Sequence, residues 1–237
     1  MPSSLAITNS LSYKVGLILR TDAFSFAQYT LCLIHDPVAR CTTGVCIGLR
    51  LVEYQQFTRY ITGSLHSASV RNPLFLPMVL LDFMKQSTAR WLSYNRMSLL
   101  AIANSKEINV REYDDDRGFK ADQKLDLDAA TRKLTFLNDE FSITESISKT
   151  HLRFLDVIEE MLLEQKNAQV APLDDVDTDA TNCFLDELSY LRESFKSAIQ
   201  YVERDRSDIQ GLAQTVSDFI YLCFVTERTA RLMSEFK

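Results

Sequence analysis

A sustained apolar periodicity near the C-terminal end constrains the fold of this chain more than any other feature. From Phe184, alternating steps of four and three residues reach fifteen positions, of which only Asp205 and Thr226 are not apolar. Such a 3.5-residue period is typical of a helix that packs lengthwise on other helices. It predicts one long helix over residues 178–237, about 90 Å in length. The fifteen positions, the seam, are Phe184, Leu188, Leu191, Phe195, Ala198, Val202, Asp205, Ile209, Leu212, Val216, Phe219, Cys223, Thr226, Ala230 and Met233.

Two ways of covering this seam remain open from the sequence. A helix predicted for residues 126–166 can fold back antiparallel and bury it. Alternatively, part of the seam stays available to a second subunit or a partner helix, because the preceding helix is roughly twenty residues shorter. A carboxylate in mid-seam is costly unless it is paired or solvated, so we expect looser packing from Asp205 onward. The predicted partner-binding residues are Ile209, Leu212, Val216, Phe219, Cys223 and Met233.

The N-terminal part of the chain has a different pattern. Residues 13–19 and 24–34 are rich in β-branched and aromatic side chains and predict two strands. Residues 42–49 predict a short third strand, broken by Gly44 and Gly48. The sequence therefore predicts a small sheet before the helices begin.

From Leu51 onward, apolar residues recur with helical spacing. The sequence therefore predicts a mainly α fold, in which a small N-terminal β-containing region is followed by long antiparallel helices, the last of them coiled-coil-like. Besides the last helix, the predicted helices cover residues 51–63, 72–105 and 126–166. The apolar positions of the third shift after Phe141, which predicts a stutter or a bend. We divide the chain into residues 1–66, a small α+β region, and residues 67–237, a long-helix domain; the two are compatible with a single domain.

Composition excludes several classes of protein. The chain is 46% hydrophobic and 24% charged, as ordinary globular proteins are, and its six glycines and five prolines are too few for an all-β fold. Its net charge of −6 argues against nucleic-acid binding, which needs a basic surface. Five cysteines, an odd number without regular spacing, predict reduced thiols in the cytoplasm. The longest apolar stretches, Leu74–Phe83 and Phe219–Val225, are too short to span a membrane.

No catalytic or metal-binding signature emerges from the residue types. The histidines, His35, His66 and His151, lack ligand spacing to one another or to a cysteine, and Cys41 and Cys46 lack the second pair of a structural zinc site. The acidic runs at residues 114–116 and 174–179 are expected to be solvated. The chain is therefore expected to be non-catalytic, with no cofactor assigned.

One segment carries a family resemblance: Val70-Arg-Asn-Pro-Leu-Phe-Leu-Pro-Met-Val-Leu-Leu-Asp82. It resembles the His-Pro-x-x-Leu-Pro-x-x-Leu segment of fungal CorA-like magnesium-transporter-type proteins, with Asn72 where that family often has histidine. In those proteins the segment follows a small β-containing region and precedes long helices, the last a stalk that enters the membrane. This chain has neither their Gly-Met-Asn pore signature nor an apolar span. The resemblance therefore implies the cytosolic, stalk-bearing part of such a protein, or a relative without its pore.

Three hypotheses follow for function. The first, which the resemblance implies, is a non-catalytic domain that acts in assembly or regulation as a symmetric oligomer strengthened by Mg²⁺, at the cytosolic face of a membrane. The second is a helical adaptor or scaffold unrelated to transport, which binds a partner helix. The third is an enzyme of unrecognised type, which a pocket with convergent polar groups and a strongly perturbed pKa would support.

Overall fold

A computed structural model describes residues 15–21, 29–36, 41–64, 72–104, 127–168 and 176–235. Within these ranges the fold is mainly α, with a small antiparallel sheet followed by long helices, which confirms the predicted fold class. The chain divides into two compact units: Met1–Arg90 with Ile143–Ile199, and Trp91–Ser142 with Gln200–Lys237. The region predicted for residues 1–66 thus lies in one unit together with parts of the long helices.

The sheet has three strands in sequential order: β1 (Val15–Arg20), β2 (Thr30–Asp36) and β3 (Cys41–Ile47). Alternation of side chains along β1 and β2 gives these strands one buried face, whereas β3 is exposed apart from Cys46, which is half-buried. Leu17 pairs with Leu33 and Leu19 with Leu31, and all four side chains are buried, whereas Ile18 points to the exposed face.

Gly44 does not break β3, as the sequence predicted, but lies inside it. It stands opposite Leu33 on the buried face, where a Cβ atom would overlap the Leu33 side chain. Gly48, with φ of 102°, follows the end of the strand and turns the chain toward the first helix. The Glu53 carboxylate accepts a hydrogen bond from the Arg50 backbone N–H at 2.9 Å and caps that helix.

Four helices follow, with bounds within a few residues of those predicted. The second is capped by Asn72, whose side-chain oxygen accepts a hydrogen bond from the Leu74 N–H at 2.9 Å. The acidic run at residues 114–116 lies outside the described residues, as do residues 174 and 175 of the second acidic run. The helices are α1 (Leu51–Ser64), α2 (Phe75–Ala103), α3 (Leu127–Ala168) and α4 (Val176–Glu235).

The predicted stutter or bend in α3 has a different explanation. α3 is one unbroken helix, and its buried face continues past Phe141 with the same steps of three and four residues. Polar side chains occupy three of these positions, so the apolar pattern loses phase while the period does not. Ser148 satisfies its hydroxyl by donating to the Thr144 carbonyl oxygen at 2.9 Å. The positions of this face are Ala130, Leu134, Leu137, Phe141, Thr144, Ser148, His151, Leu155, Ile158 and Leu162. A second row of buried residues, Ile147, Thr150, Phe154 and Met161, lies beside it after Phe141, so the buried face is wider there.

Side-chain contacts show that α3 and α4 run antiparallel. In the first unit, Nη2 of Arg192 lies 2.8 Å from Oδ1 of Asp156 and 2.7 Å from Oε2 of Glu159, while the rings of His151 and Phe195 lie 4.9 Å apart. Higher residue numbers in α3 therefore meet lower numbers in α4. The contacts agree with the predicted antiparallel arrangement over this part of the seam.

The ion pairs of Arg192 join two helices, so their loss should be measurable. We expect Arg192→Ala to lower the free energy of unfolding by about 1 kcal/mol, because Arg192 and Glu159 are only partly exposed to solvent and Asp156 adds a second, exposed pair. The effect should shrink by roughly half at about 0.5 M NaCl. Both variants are compared by urea titration. Lys196→Ala, which removes an ion pair with Glu193 inside α4, should lower the free energy of unfolding by less than about 0.3 kcal/mol. Equal losses for the two variants would contradict this role of Arg192.

The first unit contains the principal hydrophobic core. Its members come from the sheet, from α1 and α2, and from the parts of α3 and α4 that belong to this unit. Phe83 and Phe57 meet with ring centroids 5.4 Å apart, which joins α1 to α2. The most deeply buried side chains are Leu19, Tyr29, Leu31, Leu74, Met78, Leu80, Leu81, Leu155, Ile158, Phe184, Leu188, Leu191 and Phe195.

The second unit has its own buried residues along α2, α3 and α4, with Asp205 among them. Asp205 is 2% exposed, and its Oδ1 lies 3.4 Å from Nη2 of Arg204 and 3.9 Å from Nη1 of Arg96. Burial raises the pKa of Asp205, and the Arg204 guanidinium partly offsets that effect. Looser packing was expected from Asp205 onward, yet Ile209 and Val216 are buried and Leu212 between them is half-buried.

Candidate interaction surface at the end of α4

The last part of α4 has an apolar face outside the predicted seam. The side chains of Ile220, Tyr221, Phe224 and Val225 are 45%, 68%, 63% and 41% exposed. At about 100° per residue, these positions fall within roughly 140° of the helix circumference and form one continuous stripe. We call these four residues the terminal stripe.

The terminal stripe lies on a part of α4 that α3 does not reach. In the second unit, Nε of Arg206 donates to Oδ1 of Asn138 at 3.3 Å, which sets the register of the two antiparallel helices. Counting back along α3 from Asn138, its first residue, Leu127, lies level with about residue 217 of α4. Residues 218–235 of α4 therefore extend past the described start of α3.

The six predicted partner-binding residues fall into two groups, one in the part of α4 that lies beside α3 and one in the part that extends past it. Ile209 and Val216 are buried and Leu212 is half-buried, all within the stretch that lies beside α3. The other three, Phe219, Cys223 and Met233, belong to the extension, and their side chains lie outside the described residues. Their role in binding a partner stays a prediction. The terminal stripe lies roughly 120° around the helix from the seam.

Charged side chains flank the terminal stripe with opposite signs. Asp218, on its N-terminal side, is exposed, and its Oδ1 accepts a hydrogen bond from Nε2 of Gln214 at 2.7 Å. Arg228 is exposed on its C-terminal side. Glu227 precedes Arg228 in the sequence, but its side chain lies outside the described residues, so the described charges are acidic before the terminal stripe and basic after it.

Sequence reasoning missed the terminal stripe, although a signal for it was present. Seven consecutive apolar residues, Phe219–Val225, cannot all lie on the narrow face that a seam buries. The excess must point elsewhere on the helix. Four of these residues form the terminal stripe, and Leu222, which is 58% exposed, points to another side.

His151 is one of the described titratable groups whose pKa is strongly shifted, but its setting does not form an active site. It is fully buried between Tyr29, Phe154 and Phe195, and burial lowers its pKa to about 3. Neither ring nitrogen has a hydrogen-bond partner among the described residues, nor does the Tyr29 hydroxyl, whose pKa burial raises. A neutral imidazole enclosed by aromatic rings cannot exchange protons with a substrate.

A cleft of about 330 Å³ lies elsewhere in the first unit, between the sheet and α1. It is lined mainly by apolar side chains, including Leu31, Phe57 and Ile61, with Cys46 at one side. Burial, and to a smaller extent the nearby Cys32, raises the pKa of the Cys46 thiol, which lowers its nucleophilicity near neutral pH. Tyr54, Thr58 and Thr62 also line the cleft, and both threonine hydroxyls donate to backbone carbonyl oxygens of α1.

The described residues contain no cluster of three or more histidine, cysteine or acidic side chains that could hold a metal ion. His35 is hydrogen-bonded through Nδ1 to the Thr42 hydroxyl at 3.0 Å, while His66 lies outside the described residues. Within the same ranges, no helix combines the length and apolar character needed to cross a bilayer. Compared with known proteins, the chain matches no family model and no curated protein.

Proposed function

We propose that this chain is a non-catalytic helical domain that acts in assembly, with the terminal stripe of α4 as its binding surface. The observation that carries the proposal is the exposure of Ile220, Tyr221, Phe224 and Val225 on one face of a well-formed helix. Single exposed apolar residues are common on protein surfaces, but a contiguous patch marks an interaction site.

The size of the patch supports this function. The four side chains together expose on the order of 400 Å², given the 150–250 Å² that a large aromatic residue can bury. At about 25 cal/mol per Å², covering them would contribute roughly 10 kcal/mol before the costs of association. Those costs are about 4–15 kcal/mol, so the surface suits a reversible complex rather than a permanent one.

The order of elements supports a relation to the stalk-bearing part of CorA-like proteins. Three strands, then α1 and α2 with Pro73 and Pro77 at the start of α2, precede the two longest helices. A cytoplasmic location belongs to the same proposal, because Cys32, Cys41, Cys46 and Cys183 are free thiols of the kind that a reducing compartment maintains. Any effect of Mg²⁺ on assembly would act on this domain as part of a larger complex.

The proposed function is tested in cells that express the full-length protein at its normal level. We expect the wild-type protein to migrate on native gels in a complex larger than one chain. Phe224→Glu should shift most of it to the position of a single chain, because a charge in the middle of the terminal stripe would have to be desolvated in the complex.

Tyr201→Glu is the matched control. Tyr201 is an aromatic residue of α4 that is 51% exposed and lies about 30 Å along the helix from the terminal stripe. This variant should migrate as the wild-type protein does. If the wild-type protein and Phe224→Glu both migrate as single chains, the proposed function in assembly is wrong.

A further inference from the structure

We propose that the partner of the terminal stripe is a second copy of this chain, paired antiparallel about a two-fold axis that passes between residues 222 and 223 of α4. This inference rests on the proposed function and names its partner. The two-fold arrangement uses the same patch on both copies, as closed homodimers do.

Position along the helix makes the terminal stripe self-complementary. In an antiparallel pair centred between residues 222 and 223, Tyr221 of one copy lies level with Phe224 of the other, and Ile220 lies level with Val225. The most exposed aromatic side chains thus meet at the centre, and the smaller aliphatic ones lie on either side of them. Packing of this kind places the largest side chains where they are most fully desolvated.

The flanking charges distinguish the antiparallel arrangement from the parallel one. Reversing the second helix brings Asp218 of one copy level with Arg228 of the other, within about one residue along the axis, and the two-fold axis repeats this pairing at the opposite end. A parallel pair would instead place Asp218 beside Asp218 and Arg228 beside Arg228. Like charges at the rim oppose association, so the order of charges favours the antiparallel pair.

The buried area sets the expected strength of the pair. Two terminal stripes with their rims would bury about 1,000 Å² in total, which is at the low end for a specific interface. Because α4 already forms a regular helix through this region, little ordering is needed on binding. We expect a dimer with a dissociation constant in the micromolar range.

The test is sedimentation equilibrium of the purified full-length protein over about 1–100 µM, the range that brackets a micromolar dissociation constant. Wild-type protein should pass from monomer to dimer across this range, and Phe224→Glu should stay monomeric. Asp218→Arg and Arg228→Asp should each raise the dissociation constant about tenfold, since each change turns two attractions into repulsions. The double variant carrying both changes should return to within about threefold of wild type. Circular dichroism verifies that each variant keeps its helical content.

Two results would overturn the proposal. The first is wild-type protein that remains monomeric at about 100 µM, well above a micromolar dissociation constant. If the complex seen in cells persists, this result means that another protein, and not a second copy, covers the terminal stripe, and the proposed function stands. If the complex in cells is absent too, the proposed function is wrong as well. The second is a double variant that dimerises no better than the single ones, which excludes the antiparallel pairing of Asp218 with Arg228.

Discussion

Replacing Phe195 with alanine is expected to lower the free energy of unfolding by about 3–5 kcal/mol. The side chain is fully buried in the core of the first unit, and its ring lies 4.9 Å from the ring of His151. Truncation removes a whole aromatic ring from a site where α3 and α4 meet, and helices fixed by their own hydrogen bonds cannot close the resulting cavity. Urea or guanidinium denaturation at pH 7, followed by circular dichroism, measures the loss.

Phe136→Ala provides the matched control for this prediction. It makes the same change in α3 at a phenylalanine that is 59% exposed, so it creates no cavity. We expect it to change the free energy of unfolding by no more than about 0.5 kcal/mol. If the two variants lose similar stability, the core of the first unit does not depend on Phe195.

Acidification from pH 7 to pH 5 is expected to lower the free energy of unfolding by about 2 kcal/mol through His151 alone. Its pKa is about 3 in the folded protein and 6.5 in the unfolded chain, because burial disfavours the charged imidazolium. Between these two values the unfolded chain binds one more proton than the folded protein. The stability that the neutral histidine allows is therefore fully present above pH 6.5 and decreases as the pH falls toward 3.

The contribution of His151 is isolated by comparing variants at pH 7, 6 and 5. His151→Leu keeps an apolar side chain at the site and removes the titrating group, so the part of the pH dependence due to His151 should disappear. Carboxyl groups titrate equally in both proteins, and the difference between them therefore reports the histidine. An unchanged pH dependence in His151→Leu would show that the imidazole is not buried as described.

The helices were the most predictable part of this fold, because their signal is repeated many times along the chain. The seam of α4 is buried at each position from Phe184 to Ile209, and the helix bounds differ from the predicted ones by two residues at each end. By contrast, the prediction for β3 treated Gly44 as a strand breaker. The space that this glycine leaves is filled by Leu33, a residue on another strand, and no local pattern contains that information.

The two features that sequence reasoning did not find depend on which face of a helix is covered. From their polar side chains, Ser148 and His151 would be predicted to be exposed, yet they lie in the buried face of α3. From their aromatic side chains, Tyr221 and Phe224 would be predicted to be buried, yet they are exposed on α4. Periodicity gives the angle between side chains around a helix. Whether a neighbouring helix reaches a given turn depends on the register of two chain segments far apart in sequence.

The division of the first unit into two separate stretches of chain has a consequence for its synthesis. The sheet and the N-terminal helices leave the ribosome roughly 110 residues before the segment that ends at Ile199, which completes their core. Translation proceeds at about 5–20 residues per second. The core residues of α3 and α4 are therefore complete roughly 5–20 seconds after the sheet has been synthesised with its apolar side chains Leu17, Leu19, Leu31 and Leu33. During translation this half of the core is exposed, and in that interval the nascent chain is a substrate for chaperones.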